Sequence, residues 1–318
     1  MANANFQHEK TPVDISVVIV NWNTKDLLLR CLQSIYETVR EPTFEVWLVD
    51  NASSDGSVEA AQIAYPGIRV IQNKKNLGFA AANNAAFNRM NGRYALLLNT
   101  DTLLTDGAVK VLYDFMEATP RAGLACGQLL NLDGSKQNSV ANFPSLLPLL
   151  FNETVLRILL PKRFPSKRQE YTQPIEIESC IGACMMARKQ AMDDVGFFDE
   201  RYFFFFEETD WARNMKQAGW GVYFVPTAEV FHAQGQSVGH GIGSRIIFYR
   251  SRYAYFKKWQ PRAYSIVCTV IVGRLLVEAA LSLLGFLVTL GLNRRIKAKT
   301  GLYLNLILWH LKGCPQGN

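Results

Sequence analysis

One wholly apolar, β-branched run followed by a helical repeat constrains the fold of this 318-residue chain most strongly. Residues 15–20 read ISVVIV, which is typical of a strand buried on both faces of a parallel sheet. Residues 25–39 then repeat apolar side chains at the spacing of one helical face. This strand-then-helix unit predicts an α/β protein.

The same unit recurs along the first half of the chain. Strict alternation of strands and helices predicts a doubly wound, Rossmann-like, mostly parallel sheet. In such a sheet, ligands bind beyond the carboxyl ends of the strands. The later predicted strands end at residue 50 and cover 68–72, 94–99 and 123–127, and the helices between them cover 56–65, 79–90 and 106–118.

The second half of the chain is less regular. A Pro- and Leu-rich stretch at 143–165, followed by a polar segment up to residue 174, predicts a mobile loop over the site. Beyond this loop, strands are predicted at 179–187 and 221–225, and helices at 189–195 and 207–218.

The basic charge is concentrated near the C-terminal end. Residues 244–318 hold twelve of the 34 Lys and Arg residues and one of the 27 Asp and Glu residues, so 1–243 keeps 22 basic and 26 acidic residues. An acidic balance in the first part argues against a polyanion-binding groove, and the long apolar stretches of the tail do not suit nucleic acid. We therefore expect no nucleic-acid partner.

Polar residues follow the first four predicted strands. Amides, carboxylates and a glycine at these positions suit hydrogen bonds to a nucleotide, although the same residue types are also favoured in turns and helix caps. Asp101 comes directly after a buried run and is either a helix cap or a ligand of Mg²⁺ or Mn²⁺ bridging a diphosphate. The strand-end residues are Asn21, Asn23, Asp50, Asn51, Gly78, Asn99, Thr100 and Asp101.

Three acidic residues and a histidine complete the candidate site. Glu207, Glu208 and Asp210 enter a predicted helix directly after four phenylalanines. Burial and mutual repulsion would raise the pKa of at least one carboxyl toward that of a general base, although acids in a first turn also complement the helix dipole. His232 follows the last predicted strand in a loop, as a structural residue or a metal ligand.

Seven motifs in order resemble those of family 2-type glycosyltransferases, and among them of bacterial rhamnosyltransferases that build cell-surface polysaccharide. They lie between residues 15 and 237 and read VVIVNWN, VDNASSDGS, NLGFAAANN, LLLNTDT, GACMMARK, VGFFDERYF and EETDWARNMKQAGW. The resemblance implies a GT-A fold and inverting transfer from a nucleotide-diphosphate sugar, with deoxythymidine-diphosphate rhamnose (dTDP-rhamnose) as the suggested donor.

The resemblance also implies roles for individual residues. Glu208 stands where relatives carry the Asp taken as general base; because Glu is one methylene longer, Asp210 stays open as an alternative. Asp101 stands in the DxD-type position that brings a metal to the diphosphate, with His232 as second ligand, and Thr100 stands where relatives often carry Pro. Nucleotide contacts are implied for Asn21, Asp50, Asn51, Gly78 and Asn83, and a sugar and acceptor pocket for Gly182, Ala183, Glu207 and Trp211.

The apolar stretch at 263–292 contains only Arg274 and Glu278 as charged residues. It is long enough to span a membrane, but basic residues flank both ends, so the positive-inside count favours neither side. We predict a GT-A catalytic domain at 1–243 and a basic, apolar helical region at 244–318 that lies in or dips into an anionic membrane surface. A homodimer, or packing of these helices on the catalytic domain, stays open.

The first fourteen residues are polar and lack the apolar stretch of a secretory signal. This predicts a catalytic domain on the cytoplasmic face of the inner membrane, held as a peripheral or monotopic protein. Such a location suggests a lipid-linked saccharide as the acceptor.

Two other functional classes compete with a glycosyltransferase. A dehydrogenase is disfavoured because the first strand leads into NWNTK rather than a Gly-rich GxGxxG turn. A non-catalytic protein that binds nucleotide sugars or polysaccharide would keep the strand-end residues but would need no acidic cluster at 207–210.

Overall fold

The structure is a computed structural model that describes residues 13–151, 153–160, 170–233, 235 and 241–314. Most of the polar N-terminal segment, parts of the predicted loop at 143–174, and the end of the motif region at Gln236 and Ser237 lie outside the described residues.

The first half of the chain alternates strands and helices as predicted. In chain order the elements are β1 (Ile15–Asn21), α1 (Lys25–Thr38), β2 (Phe44–Asp50), α2 (Ser57–Ala64), β3 (Arg69–Gln72), α3 (Phe79–Phe87), β4 (Tyr94–Asn99), β5 (Thr102–Leu104), α4 (Ala108–Ala118) and β6 (Ala122–Leu130).

The second half adds short strands and a helical C-terminal region. Its elements are β7 (Val140–Ala141), α5 (Leu147–Leu150), α6 (Glu153–Leu159), β8 (Ile175–Glu176), β9 (Ser179–Cys180), β10 (Cys184–Arg188), α7 (Lys189–Val195), α8 (Glu207–Gln217), β11 (Gly221–His232), α9 (Ile242–Trp259), α10 (Tyr264–Val288) and α11 (Arg294–Leu311).

Most strands form one sheet in the order β3-β2-β1-β4-β10-β6-β11-β5, with β8 beside β11. β1 pairs in parallel with β2 on one side and β4 on the other, so the carboxyl ends of these three strands meet at one edge. β10 is antiparallel to both of its neighbours, β4 and β6. The predicted α/β fold with a mostly parallel central sheet is confirmed.

The core lies on both faces of this sheet because successive strand residues point in opposite directions. Ile15, Val17 and Ile19 of β1 pack with the buried face of α1, whereas Val18 packs in a second cluster with α3 and α8. Continuous burial of β1 explains why its sequence is apolar without alternation.

Three elements differ from their predicted form. β5 was not predicted, because three residues are too short to show a hydrophobic period. The strand predicted at 179–187 is interrupted: β9 and β10 are separate, and Gly182 and Ala183 lie between them rather than within a strand. β11 extends to His232, which therefore ends a strand and does not lie in a loop.

The C-terminal helices pack on one another and on the α/β part. α9 packs with α10 and α11 through a separate apolar cluster that includes Tyr253, Phe256, Val267 and Trp309. The segment Pro261–Val288 has a mean hydropathy of 2.1 and is 28% buried, so it is long and apolar enough to cross a membrane by length and composition. The predicted division after residue 243 falls within α9, and a division into two units stays a prediction.

Candidate active site

A cavity of about 270 Å³ opens at the carboxyl ends of β1, β2 and β4, and we call it the strand-end cavity. Four residues predicted to bind the nucleotide line it: Asn51, Gly78, Asn99 and Thr100. Residues outside the predicted site set also line it, namely Trp22, Asn76, Phe79, Phe203, Phe204, Ser244 and Ile247. Trp22 is 49% exposed, and an exposed tryptophan at a strand end is a signal for ligand contact that the sequence offered.

Three other predicted nucleotide residues join the loops after β1 and β2. The Asn21 amide donates to Asp50 Oδ1 at 2.9 Å, and Asp50 Oδ2 accepts from the Ser53 backbone N–H at 2.9 Å. Asn23 Oδ1 accepts from the Ser54 backbone N–H at 2.8 Å. Asn21, Asn23 and Asp50 are not among the residues that line the cavity, so their direct contact with a nucleotide stays a prediction.

Gly78 brings two backbone segments into contact beside the cavity. Its φ of +84° lies in the left-handed region, and a side chain there would clash with the carbonyl oxygen of Phe203. That carbonyl accepts from the Phe79 N–H at 2.7 Å, while the Asn51 amide donates to Gly78 O at 3.1 Å. Gly78 is therefore required for the shape of the cavity wall.

Asn83 is buried on α3, where its Nδ2 donates to Phe79 O at 2.9 Å. Its Oδ1 is buried, and within the described part of the chain it has no hydrogen-bond partner. A buried amide oxygen that accepts no bond is costly, which suits a position completed by a ligand.

The two predicted metal ligands are brought together by β5. Strand β5 starts directly after Asp101 and pairs antiparallel with β11, with Thr102 opposite His232. The Asp101 carbonyl accepts from the Ala233 N–H at 2.8 Å, and His232 Nε2 lies 3.5 Å from Asp101 Oδ1. Both side chains are buried, so this pair is held by backbone pairing in a low-dielectric environment.

Gln137 determines which nitrogen of His232 faces Asp101. The Gln137 amide donates to His232 O at 2.6 Å and to Asn131 Oδ1 at 2.8 Å, so its Oε1 faces His232 Nδ1 at 2.9 Å and accepts the Nδ1 proton. Burial lowers the pKa of His232 and favours the neutral ring. The Nε2 lone pair therefore faces a carboxylate oxygen.

A lone pair facing a carboxylate, with the opposite ring nitrogen fixed by a neighbour, is the arrangement of a histidine that ligates a metal. The Asp101 and His232 donors fit one divalent ion. In the described ranges no cluster of three or more His, Cys, Asp or Glu side chains could hold a metal ion, so further ligands would come from substrate and water.

Glu207 and Glu208 begin α8 with strongly perturbed carboxyls. Burial raises the pKa of the half-buried Glu208 to about 7. Burial, and then repulsion from Glu208, raises the pKa of Glu207 well above its usual range. Glu207 Oε2 has no hydrogen-bond partner among the residues described. Near neutral pH, Glu208 can therefore accept a proton while Glu207 holds one.

Asp210 has a different environment from Glu208. It is 1% exposed, and its Oδ1 accepts from Trp259 Nε1 at 2.6 Å and from the Tyr202 hydroxyl at 3.1 Å. Its Oδ2 forms an ion pair with Lys258 Nζ at 2.7 Å. A carboxylate with both oxygens bound to α9 and Tyr202 is a structural anchor, so the geometry favours Glu208 as the base.

Gly182 and Ala183 join the acidic turn to the end of β4. A Cβ built on Gly182 would lie 3.6 Å from Cβ and Cγ of Glu208. The neighbouring Ala183 carbonyl accepts from the Asn99 N–H at 3.0 Å, two residues before Asp101. Gly182 and Ala183 therefore link Glu208 to the end of β4 that precedes Asp101, whereas the convergence of Asp101, His232 and Glu208 around one cleft stays a prediction.

Trp211 does not contact this region. Its ring is 1% exposed and stacks on Phe87 with centroids 5.8 Å apart, and its Nε1 donates to Gly196 O at 2.8 Å. The prediction that Trp211 lines the sugar pocket is therefore corrected: all its polar and apolar surface is used in the core.

Two strained phenylalanines precede the acidic turn. Phe205 and Phe206 have φ angles of 71° and 72°, a left-handed conformation that costs about 1–3 kcal/mol for each residue. Helix α9 holds them: the Phe206 ring lies 5.4 Å from that of Phe248, and Ser251 Oγ donates to Phe204 O at 2.8 Å. No local sequence pattern indicates this support from a distant helix.

Comparison with known proteins identifies the family. Residues 16–196, more than half of the chain, match the family described as Glycosyl transferase family 2. The chain belongs to glycosyl transferase family 2. A relative in this family, the N-acetylglucosaminyl-diphospho-decaprenol L-rhamnosyltransferase of Mycobacterium tuberculosis, is 31% identical over 257 residues, covering 76% of this chain and 83% of the relative.

Other similarities agree with this family. The low-salt glycan biosynthesis hexosyltransferase Agl10 of Haloferax volcanii is 22% identical over 226 residues, covering 70% of this chain and 67% of the relative. Among solved structures, GalNAc-T7 with UDP, GalNAc and Mn²⁺ aligns with a TM-score of 0.55 at 16% identity. The alignment covers 79% of this chain and 52% of the GalNAc-T7 chain, so the present chain spans about half the length of GalNAc-T7. At 16% identity this structural similarity establishes only that the fold is GT-A-like.

Proposed function

We propose that this glycosyltransferase moves a sugar, with inversion, from a nucleotide-diphosphate donor to a lipid-linked saccharide. The observations that carry the proposal are the Asp101–His232 pair, 3.5 Å apart, and the Glu208 carboxyl, whose pKa is raised to about 7. The strand-end cavity supplies the donor site, with the exposed Trp22 ring available to the nucleotide and the buried Asn51 in the cavity wall.

In the proposed reaction the Glu208 carboxylate accepts the proton of an acceptor hydroxyl. The hydroxyl oxygen forms a bond to the anomeric carbon from the face opposite the diphosphate, while the bond from that carbon to the diphosphate oxygen breaks and its electron pair leaves with the diphosphate. A single displacement inverts the anomeric centre. A base with a pKa near the working pH is efficient because it is both available and basic enough.

Asp101 and His232 would hold one Mg²⁺ or Mn²⁺. When bound, this ion supplies positive charge against the charge that develops on the leaving diphosphate. The GT-A-like neighbour contains Mn²⁺ and UDP, which supports a divalent ion in this family of folds.

The donor and acceptor are proposed from the relative's name. That protein is an L-rhamnosyltransferase acting on a diphospho-decaprenol carrier, which supports dTDP-rhamnose as donor and a lipid-linked saccharide as acceptor here. The apolar segment Pro261–Val288 and the basic residues after it support attachment to the anionic cytoplasmic face of the plasma membrane, as a peripheral or monotopic protein.

The test is acceptor-dependent release of nucleotide from a panel of sugar donors, measured with the full chain. We expect release with one donor class, abolished by a chelator and restored by Mg²⁺ or Mn²⁺, and strongly reduced in Asp101→Asn. Nucleotide release that needs no acceptor carbohydrate would contradict the proposal, and so would sugar transfer that continues when all divalent ions are chelated. Lys110→Gln, on the exposed surface of α4, is the matched control and should behave like the wild type.

A further inference from the structure

A second cavity, of about 370 Å³, lies between α5, α9 and α10, away from the strand-end cavity. Two cationic side chains line it, Arg252 of α9 and Arg274 of α10, together with Phe151 and Tyr249. We call it the arginine cavity. Nothing in the proposed reaction uses these residues.

The two guanidinium groups repel each other across this cavity. Burial and the positive charge of Arg274 both lower the pKa of Arg252, and no carboxylate contributes to that shift. Arg274 Nη1 donates to Leu149 O at 2.8 Å, which satisfies one donor but does not neutralise its charge. The one carboxylate lining the cavity, Glu278, accepts a hydrogen bond from Tyr303 of α11. Two cations against one carboxylate leave the cavity lining with a net positive charge, which suits an anion with several oxygens.

Arg274 is also the first residue of a straight stripe along α10. Val277, Leu281, Leu284 and Val288 follow it at alternating spacings of three and four residues, which places all five on one helix face. These four apolar residues are 59%, 64%, 59% and 75% exposed. The stripe is about 21 Å long at the helical rise per residue. An anion site at one end of an exposed apolar stripe matches an amphiphile with a charged head.

Helix α9 connects the arginine cavity to the donor site. Ile247 lines the strand-end cavity and Arg252 lines the arginine cavity. The two residues are five positions apart, a rise of about 7.5 Å along the helix. Because five residues also turn the helix by about 140°, the two cavities lie on different sides of α9, and a head group with its sugar next to its phosphates would pass around this helix between them.

We infer that the arginine cavity binds the diphosphate of the lipid-linked acceptor, with its isoprenoid chain along the stripe of α10. The inference rests on the proposed function for the identity of the attached sugar, but the anion site and the stripe are features of the chain itself. Arg252 and Arg274 recognise the diphosphate oxygens, and the exposed leucines and valines cover the chain.

The test measures binding of the full chain to two kinds of phosphatidylcholine vesicle. One kind contains an isoprenyl diphosphate without sugar, and the other contains phosphatidylglycerol at the same total charge. We expect wild-type protein to prefer the isoprenyl diphosphate vesicles by on the order of tenfold to a hundredfold, and both Arg252→Gln and Arg274→Gln to lose that preference. Arg294→Gln, an exposed residue of α11, removes the same charge and should keep it.

Three outcomes would overturn the inference: no preference in the wild type, a preference retained in both cavity variants, or an equal loss of binding to both vesicle types. The last would mean that the arginines bind general lipid head groups. Arg274→Gln changes an exposed side chain, and retained donor binding verifies that it folds. The vesicle assay contains no donor and no sugar. A failure of the protein to transfer sugar would therefore contradict the proposed function without changing the binding result.

Discussion

Replacing Glu208 with glutamine removes the proposed base while keeping the shape of the side chain. General-base catalysis by a positioned side chain contributes about 10²–10⁴ in rate, so we expect the turnover of Glu208→Gln to fall by about that factor. The donor Kd should stay unchanged, because Glu208 is not among the residues that line the strand-end cavity. A variant that binds donor normally but transfers poorly separates chemistry from binding.

The pH dependence gives a sharper form of the same prediction. Burial raises the pKa of Glu208 from 4.5 to about 7 by disfavouring the charged form, and only that form accepts a proton. The ionised fraction should be about a tenth at about pH 6 and about a hundredth at about pH 5. The wild-type kcat/KM should therefore rise tenfold per unit and level off above about pH 7.

The assay is the initial rate of transfer at saturating donor and subsaturating acceptor, which is proportional to kcat/KM for the acceptor, measured across this range in buffers of constant ionic strength. Glu207→Gln is the matched control, because burial raises the pKa of Glu207 well above its usual range and glutamine imitates the neutral carboxyl that this favours. Its profile should keep a midpoint near that of the wild type. A wild-type rate that is flat from about pH 5 to about pH 8, or a Glu208→Gln protein with more than about a tenth of wild-type turnover, would refute the reasoning.

Three further substitutions test other parts of the site. Asp210→Asn should lower the free energy of unfolding by about 1.5–3 kcal/mol, because the hydrogen bonds to Asp210 lose their charge and Lys258 keeps only its ion pair with Asp199; an unchanged urea midpoint would show that the pair is not an anchor. Gly182→Ala should fold normally, since the new methyl group makes ordinary contacts at 3.6 Å, but should raise the acceptor KM by covering Glu208; an unaltered KM contradicts this. Trp22→Ala should weaken donor binding by about 1–3 kcal/mol if the exposed ring stacks on the nucleobase, whereas Trp22→Phe should retain most of the affinity in calorimetry.

The fold was predictable because, in the first half of the chain, the apolar pattern of each element agrees with the residues that it buries. The run at 15–20 is buried on both faces, and the apolar spacing of α1 matches its buried residues Leu28, Cys31, Leu32 and Ile35. β5 and the break between β9 and β10 escaped prediction because elements of two or three residues carry no period. Their positions depend on pairing with distant strands.

The sequence predicted the residues of the candidate site better than the contacts that these residues make with distant parts of the chain. Strand-end position pointed to Asn51 and Thr100, and both line the cavity. The sequence left Glu208 and Asp210 as alternatives, because the partners that distinguish them, Lys258 and Trp259, are almost fifty residues away. The assignment of Trp211 to a pocket followed from the family resemblance and was wrong, because a motif does not show what covers a side chain, and the Trp211 ring stacks on Phe87 in the core.

Helix α9 has a consequence for how relatives of this protein can be recombined. It contributes a wall of the donor cavity, supports the strained phenylalanines and anchors α8 through Lys258. Exchanging C-terminal regions between two such transferases, with a junction near residue 243, would therefore alter turnover. A chimera that preserves catalysis would need its junction after Trp259, where the anchoring contacts end.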